Sequence, residues 1–198
     1  MLVDQQLIEK IAASVPGGLA NIQDIKQASS CQSELLSRHL IGGEVAAKCV
    51  ISLVLAVSSW DQLEDLTVAL QWMINSSDVL RTAVQWKGLP RAFQIVFRRA
   101  NLPAEEVRLR RDDDHMMQIR DWLKPTRQSM DVSIAPLMRV RAAPHSSKKE
   151  WYIWIQFHRL VIGEEFVAQI LQQLGEHFEG AKAIRPRVIF GEGILFPS

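Results

Sequence analysis

Apolar and polar positions along this 198-residue chain change period several times, and each change predicts an element. Trp151 to Phe157 is a short run rich in aromatic and β-branched residues, the pattern of a buried strand. Gly163 breaks the run, and Phe166, Val167, Ile170, Leu171 and Leu174 then recur at helical spacing, with the helix fraying after Gly175. His158 is thereby placed where a strand ends and a helix is about to begin. At such a junction a rigid strand aims a side chain while the loop leaves room for a ligand. A histidine that merely caps a core strand is the alternative reading.

In chain order, Leu2, Leu7, Ile8 and Ile11 mark a short amphipathic helix that stops before Pro16-Gly17-Gly18, and Leu19 to Ser29 reads as an extended linker. Ser30 is the expected cap of a helix from Cys31 to Leu40, ended by Gly42-Gly43. Ala47 to Val57 is apolar at most positions and predicts a strand inside a sheet. Ser59 or Asp61 opens a helix through Asn75, with Leu63, Leu66, Leu70 and Ile74 facing a core. Val79 to Trp86 and Ala92 to Phe97 predict an antiparallel pair across the turn Lys87-Gly88-Leu89-Pro90. Val107 to Arg111 predicts a short strand, and Asp112-Asp113-Asp114 a cap and negative charge for a helix from Met116 to Leu123, ended by Pro125. Leu137 to Ala142 alternates as a strand, and Pro144 to Lys149 is a polar turn into the Trp151 strand. Residues 181–198 have no clear period and read as a poorly specified tail.

The length fits one domain, and 47% hydrophobic content is enough for a core. With 23 basic and 22 acidic side chains the net charge is +1, so no overall field favours nucleic acid or an anionic membrane. Cys31 and Cys49 are too few for a disulfide framework and show no metal-binding spacing. Apolar runs are far shorter than a spanning helix, and the N-terminus lacks the basic start and apolar centre of a signal peptide. A reducing cytoplasmic location is the expectation, with no cofactor or metal.

Four segments carry a family resemblance. Val15-Pro16-Gly17-Gly18-Leu19-Ala20-Asn21-Ile22-Gln23-Asp24-Ile25, with Gln32 and Leu35-Leu36-x-x-His39 after it, resembles the opening of condensation domains of nonribosomal peptide synthetases, most of all the dual epimerisation/condensation type. Asp78-Val79-Leu80-Arg81-Thr82-Ala83-Val84 is similar to the family stretch RHExLRTxF, and Ala135-Pro136-Leu137-x-Arg139 to its PLxR stretch. Phe157-His158-Arg159-x-x-x-Gly163-Glu164 occupies the place of the active-site motif HHxxxDG. The four occur in family order over residues 1 to 178. The resemblance implies an α/β sandwich, α+β in class: a single chloramphenicol-acetyltransferase-like lobe with a largely antiparallel or mixed sheet and packed helices, residues 1–180, followed by the tail 181–198.

Departures from the motifs shape the functional expectation. The second motif histidine, which the resemblance associates with amide-bond formation, is Arg159, and an arginine cannot accept a proton as a general base. Gly163 stands in the place of the motif aspartate and Glu164 in that of its glycine. Ser76 and Ser77 replace the Arg and His of the second motif, while Arg81 is kept. The dual-type histidine pair survives only as Arg38-His39, with Gly43-Glu44 arriving early. Family domains resemble two such lobes with a tunnel between them, so this chain matches one wall.

Candidate site residues are therefore His158 and Arg159 in the catalytic positions, with Arg81, Arg139, His39 and Glu164 as pocket or structural residues. His158 is either a vestige held by packing or a ligand contact; Arg81 and Arg139 either bond backbone and carboxylate groups in the interior or serve a pocket. The basic set Arg98, Arg99, Arg108, Arg110 and Arg111 reads as a solvated face. Strand parity puts Trp151 and Trp154 on opposite faces. Three functions follow: a non-catalytic homologue acting by protein binding or self-association; a condensation or acyl-transfer enzyme, active only as an oligomer or with a partner lobe, on phosphopantetheine-carried substrates; or a remnant without a role. The expected partner is a second lobe, another copy or a carrier protein, with a dimer or hetero-complex as the outcome.

Overall fold

The computed structural model describes residues 5–110, 114–124, 127, 129–145 and 148–178. In chain order the helices are α1 (Gln5–Ala12), α2 (Ser30–Ile41), α3 (Gly43–Ala47), α4 (Trp60–Ser76), α5 (His115–Trp122) and α6 (Glu164–Phe178). The strands are β1 (Ile22–Gln27), β2 (Val50–Val57), β3 (Thr82–Gln85), β4 (Phe93–Phe97), β5 (Ala104–Glu106), β6 (Met138–Pro144) and β7 (Trp151–His158). The larger sheet has the order β2-β7-β6-β5 and the smaller one β1-β4-β3. Every pairing is antiparallel except β5 with β6.

The expected run from Trp151 is the inner strand β7, held by β2 on one side and β6 on the other. Its period of two divides the larger sheet into two unlike faces. Ile153, Ile155 and Phe157 join Leu53, Leu55 and Val140 in the main core, covered by Leu66, Leu70 and Ile74 of α4 and Val167, Ile170 and Leu174 of α6. Each such side chain removed from water stabilises the fold by about 1.5–3 kcal/mol. Tyr152 and Trp154 point the other way, packed with Val107 and with Ile119 of α5. Trp151 packs against the main core, so the expected parity of the two tryptophans holds.

Capping chemistry sets the helix starts. Ser29 rather than Ser30 caps α2, in a reciprocal capping box with Gln32, and Ser59 caps α4. Gly42, at φ 81°, ends α2 in a conformation that favours glycine. Asp114 caps α5 by accepting from the Met116 N–H.

Four further expectations need correction. Residues 19–29 are not a linker: a 3-10 turn over Gly18–Asn21 leads into β1, an edge strand whose Gln, Asp and Lys residues hide the strand pattern. The β2 segment begins at Val50 because Gly43–Ala47 forms α3. The short strand is Ala104–Glu106, not Val107–Arg111; its residues are exposed and carry no apolar signal, whereas Val107, whose N–H makes a last bond to the Ala142 carbonyl, and Leu109 pack in the cluster with Ile119 of α5. Helix α6 continues past Gly175 to Phe178, with Leu174 buried. Arg111, Asp112, Asp113, Pro125 and the tail 181–198 lie outside the described residues.

Candidate functional site

The even-numbered residues of β7 run along one face, from Tyr152 and Trp154 to Gln156 and His158. The first two are sealed by α5, and the last two form a polar row. Gln156 is fully buried and donates to Ser52 Oγ on β2 at 3.1 Å. Its Oε1 accepts from Arg139 Nε at 2.7 Å and from an Arg141 guanidinium nitrogen at 3.2 Å. One amide on β7 thus satisfies polar groups on both flanking strands, β2 and β6, which lets two arginines and a serine sit beside an apolar core.

Arg139 also donates to the Ser129 carbonyl at 2.8 Å. Burial, with Arg141 alongside, pushes its guanidinium down to about 10, so it stays cationic at neutral pH. Arg141 pairs with Glu105 of β5 at 2.9 Å.

At the end of the row, His158 is fully buried. Its Nδ1 accepts from the Leu160 N–H at 3.2 Å, which assigns the ring proton to Nε2. That nitrogen faces Nδ1 of His39, in the last turn of α2, at 3.1 Å. The two rings meet edge to face, with centroids 4.9 Å apart. Burial, then the neighbouring His39, pushes His158 down to about 3, and burial lowers His39 as well despite the opposing Asp131 carboxylate. Both imidazoles are neutral at pH 7, and both nitrogens of His158 are occupied.

Arg159, the next residue, leaves the sheet. Its backbone N–H bonds the Cys49 carbonyl at 2.8 Å, and its guanidinium donates to Glu164 at the first turn of α6 at 2.7 Å. The pair is 28% and 47% exposed. Arg81 lies elsewhere, beneath the smaller sheet. It is 7% exposed and donates to Gln23, Asp78 and the carbonyls of Ile74, Phe97 and Arg98. The structure therefore pairs His39 with His158 and, separately, Arg159 with Glu164, ties Arg139 to the row through Gln156, and places Arg81 in buried bonding of backbone and carboxylate. Ser52, Gln156 and Arg141 were missed by sequence reasoning; only the parity of Gln156 with His158 on one strand could have flagged them.

Among the described residues no cluster of three or more His, Cys, Asp or Glu side chains could hold a metal ion, and both cysteines are free. No helix among them is long and apolar enough to cross a membrane.

The condensation-domain family model matches residues 22–163, a span that contains the whole polar row and the His39–His158 pair. The chain belongs to the condensation-domain family. Malpibaldin synthetase of Mortierella alpina is 27% identical over 172 residues, covering 86% of this chain and 3% of that protein. Malpinin synthetase of the same organism is 31% identical over 165 residues, covering 80% of this chain and 2% of that protein. Among solved structures, the starter condensation domain of rhizomide synthetase aligns with a TM-score of 0.62 at 15% identity, over 77% of this chain and 38% of that one. A four-domain nonribosomal peptide synthetase bound to AMP and glycine aligns with a TM-score of 0.64 at 14% identity, over 79% and 12%. These alignments bear out the expected chloramphenicol-acetyltransferase-like fold. The condensation-domain chain thus spans 2–3% of those curated relatives and about two fifths of the solved starter domain.

Proposed function

We propose that this condensation-domain lobe does not form amide bonds and acts through protein binding, either to a second lobe or to another copy of itself. One observation carries the reading: the residue after His158, where the resemblance implies a proton-accepting imidazole, is a guanidinium ion-paired to Glu164, while His158 is buried with both nitrogens engaged. An arginine does not take a proton from an attacking amine, and a sealed imidazole does not reach one. Beside His39, the side chains of Leu40, Ile41 and Val45 are 54%, 70% and 39% exposed, an apolar patch suited to a protein partner. The opening segment Val15–Ile25 supports descent from the dual epimerisation/condensation type, and two free thiols are consistent with a reducing cytoplasm.

The enzymatic alternative, condensation of carrier-bound aminoacyl groups in a composite tunnel, draws support from the His39–His158 contact, through which a proton can pass. Its substrates would arrive on phosphopantetheine arms. The deciding experiment offers two carrier-bound aminoacyl groups to the purified chain, to Arg159→His and to Arg159→Ala. No peptide from the unmodified chain is the expected result; product that disappears on replacing His39 or His158 overturns the non-catalytic reading.

A further inference from the structure

Toward the Trp151 end of β7, away from His158, a slot of about 240 Å³ lies between α4 and the β5–β6 pair. Val140 and Ala142 of β6 and Leu63 of α4, all buried, give it an apolar lining. Trp60 and Trp151 border it with their rings edge to face, 5.0 Å apart between centroids and 62° between planes, and Trp60 is 51% exposed. The charged groups along it have one sign: Glu64, Glu105 and Glu106, with no Lys, Arg or His among the described lining residues. Parallel pairing sets Glu106 beside Ala142, so its side chain leaves the sheet on the side that α4 covers. Glu105 sits in register with Arg141 and accepts from its Nε at 2.9 Å. Glu64 and Glu106 have no ion-pair partner among the described residues.

Charge, shape and size together select the ligand. Two carboxylates without a counter-ion attract a cation, and exposed tryptophan faces favour one that rests against an aromatic ring. A calcium ion takes about 6–8 oxygen ligands, which two carboxylates over an apolar floor do not supply, whereas an organic cation brings carbon to meet that floor. At ~30 Å³ per water the slot has room for about eight waters, and it is smaller than the roughly 300–1,000 Å³ of pockets that take drug-sized molecules, so the ligand has a similarly small number of non-hydrogen atoms. We propose that the slot binds a primary ammonium ion on a short apolar stem, with the stem on Val140 and Ala142 beside the Trp60 ring and the head group between Glu64 and Glu106. The three donors of an ammonium suffice for both carboxylates. This site lies on the sheet face opposite the polar row, and its test is independent of whether the lobe is catalytic.

The experiment titrates the full chain with n-hexylammonium at pH 7 and low ionic strength, by calorimetry and by NMR of the tryptophan indole N–H groups. One site with a Kd of about 1 mM or below is expected. Hexan-1-ol and hexanoate, which carry the same stem with no charge or the opposite one, bind about tenfold more weakly or not at all. The indole resonances of Trp60 and Trp151, assigned from Trp60→Phe and Trp151→Phe, shift during the titration, while that of Trp154, on the other face of the sheet, stays in place. Glu64→Gln with Glu106→Gln, at two exposed positions that do not threaten the fold, lowers the affinity about fivefold or more, and so does 1 M salt. Asp65→Asn, next to Glu64 in sequence but outside the slot, leaves it unchanged. Nα-acetyl-lysine methylamide, titrated in parallel, separates the two sources of such a head group: tighter binding than hexylammonium assigns the slot to a lysine side chain of a partner, weaker binding to a free amine. Binding of neither ammonium, equal binding of the alcohol or the carboxylate, or shifts that spare both Trp60 and Trp151 overturn the proposal. So does an affinity that the double glutamate substitution leaves unmoved, or that Asp65→Asn lowers as much.

Discussion

His158 Nε2 donates to His39 Nδ1 across 3.1 Å, tying the end of β7 to the last turn of α2 over 119 positions of sequence. The bond requires a neutral acceptor ring and leaves His158 no open nitrogen, because Leu160 N–H already occupies Nδ1. This pair therefore resists protonation in the folded state, and the resistance appears as a pH-dependent stability.

The sign follows from the shift. An unfolded histidine takes up its proton near pH 6.5, whereas buried His158 is pushed down to about 3. Between those values the unfolded state binds the extra proton, so stability is full above pH 6.5 and falls as pH falls. For His158 alone the loss from pH 6.5 to about pH 5 is about 1.6 kcal/mol, and lowered His39 adds in the same direction. Urea midpoints measured across this window, above the range in which most carboxylates titrate, check it. His158→Gln, which cannot titrate, starts less stable and loses most of the slope.

Arg81 predicts a different kind of sensitivity. Its guanidinium reaches three backbone carbonyls, Gln23 and Asp78, joining the end of α4 to both β1 and β4. Arg81→Ala strands those acceptors in the interior and is expected to cost about 3–5 kcal/mol in chemical denaturation. Arg81→Lys recovers less than half of that, because an ammonium has three donors and no planar fork. Asp78→Asn costs less than about 1 kcal/mol, since that partner is exposed.

Arg81 also shows what was legible in the sequence. It stands in a run of apolar residues, where a cation must be bonded if it is buried, and the structure has it so. The helices α4 and α6 and the strands β2, β4 and β7 were readable because each buries an apolar stripe of the right period, whereas α2, which buries only Leu36, was readable from the serine before it and the glycine that ends it. Edge strand β1 and the exposed β5 were not: in β1 only Ile22 and Ile25 meet the core, three positions apart among polar residues, and β5 is exposed throughout, so neither shows a period of two. The adjacent motif residues His158 and Arg159 were readable as candidates. Their opposite fates, one sealed and one turned toward Glu164, depend on where β7 ends and α6 begins, which no spacing rule resolves to one residue.

Trp154 gives a test of packing against hydrogen bonding. It is fully buried, and its Nε1 has no hydrogen-bond partner among the described residues. Replacing a large core aromatic normally costs several kcal/mol through the cavity left behind. Trp154→Phe leaves a smaller cavity and also removes the desolvated N–H, so its cost is expected to stay below about 2 kcal/mol, well under that of Trp154→Ala. Thermal denaturation of the two variants side by side measures the difference.

The exposed patch at Leu40, Ile41 and Val45 predicts association. Sedimentation velocity over a concentration series is expected to show a weight-average mass rising with concentration. Ile41→Asp, at a side chain 70% exposed, introduces a charge that docking would bury, and is expected to shift the distribution to the monomer with little loss of folding stability. A concentration-independent monomer with Ile41 intact removes self-association and leaves a heterologous partner as the binding reading.

Whether the condensation assay can be interpreted depends on Arg159→His remaining folded, and the local structure predicts that it does. The Arg159–Glu164 pair is partly exposed on both sides, so Coulomb attraction there competes with water and with the entropy of two long side chains. Losing it is expected to cost no more than about 1 kcal/mol, and less in 1 M salt, where such pairs are screened. The fixed element at this position is the backbone: the Arg159 N–H bonds the Cys49 carbonyl at the end of the β2–β7 ladder, and any L-residue but proline preserves it. Urea midpoints of Arg159→His and Glu164→Gln within about 1 kcal/mol of the unmodified chain meet the expectation. A histidine that fits the backbone yet yields no peptide then separates missing chemistry from a collapsed site, because the fold around it is intact.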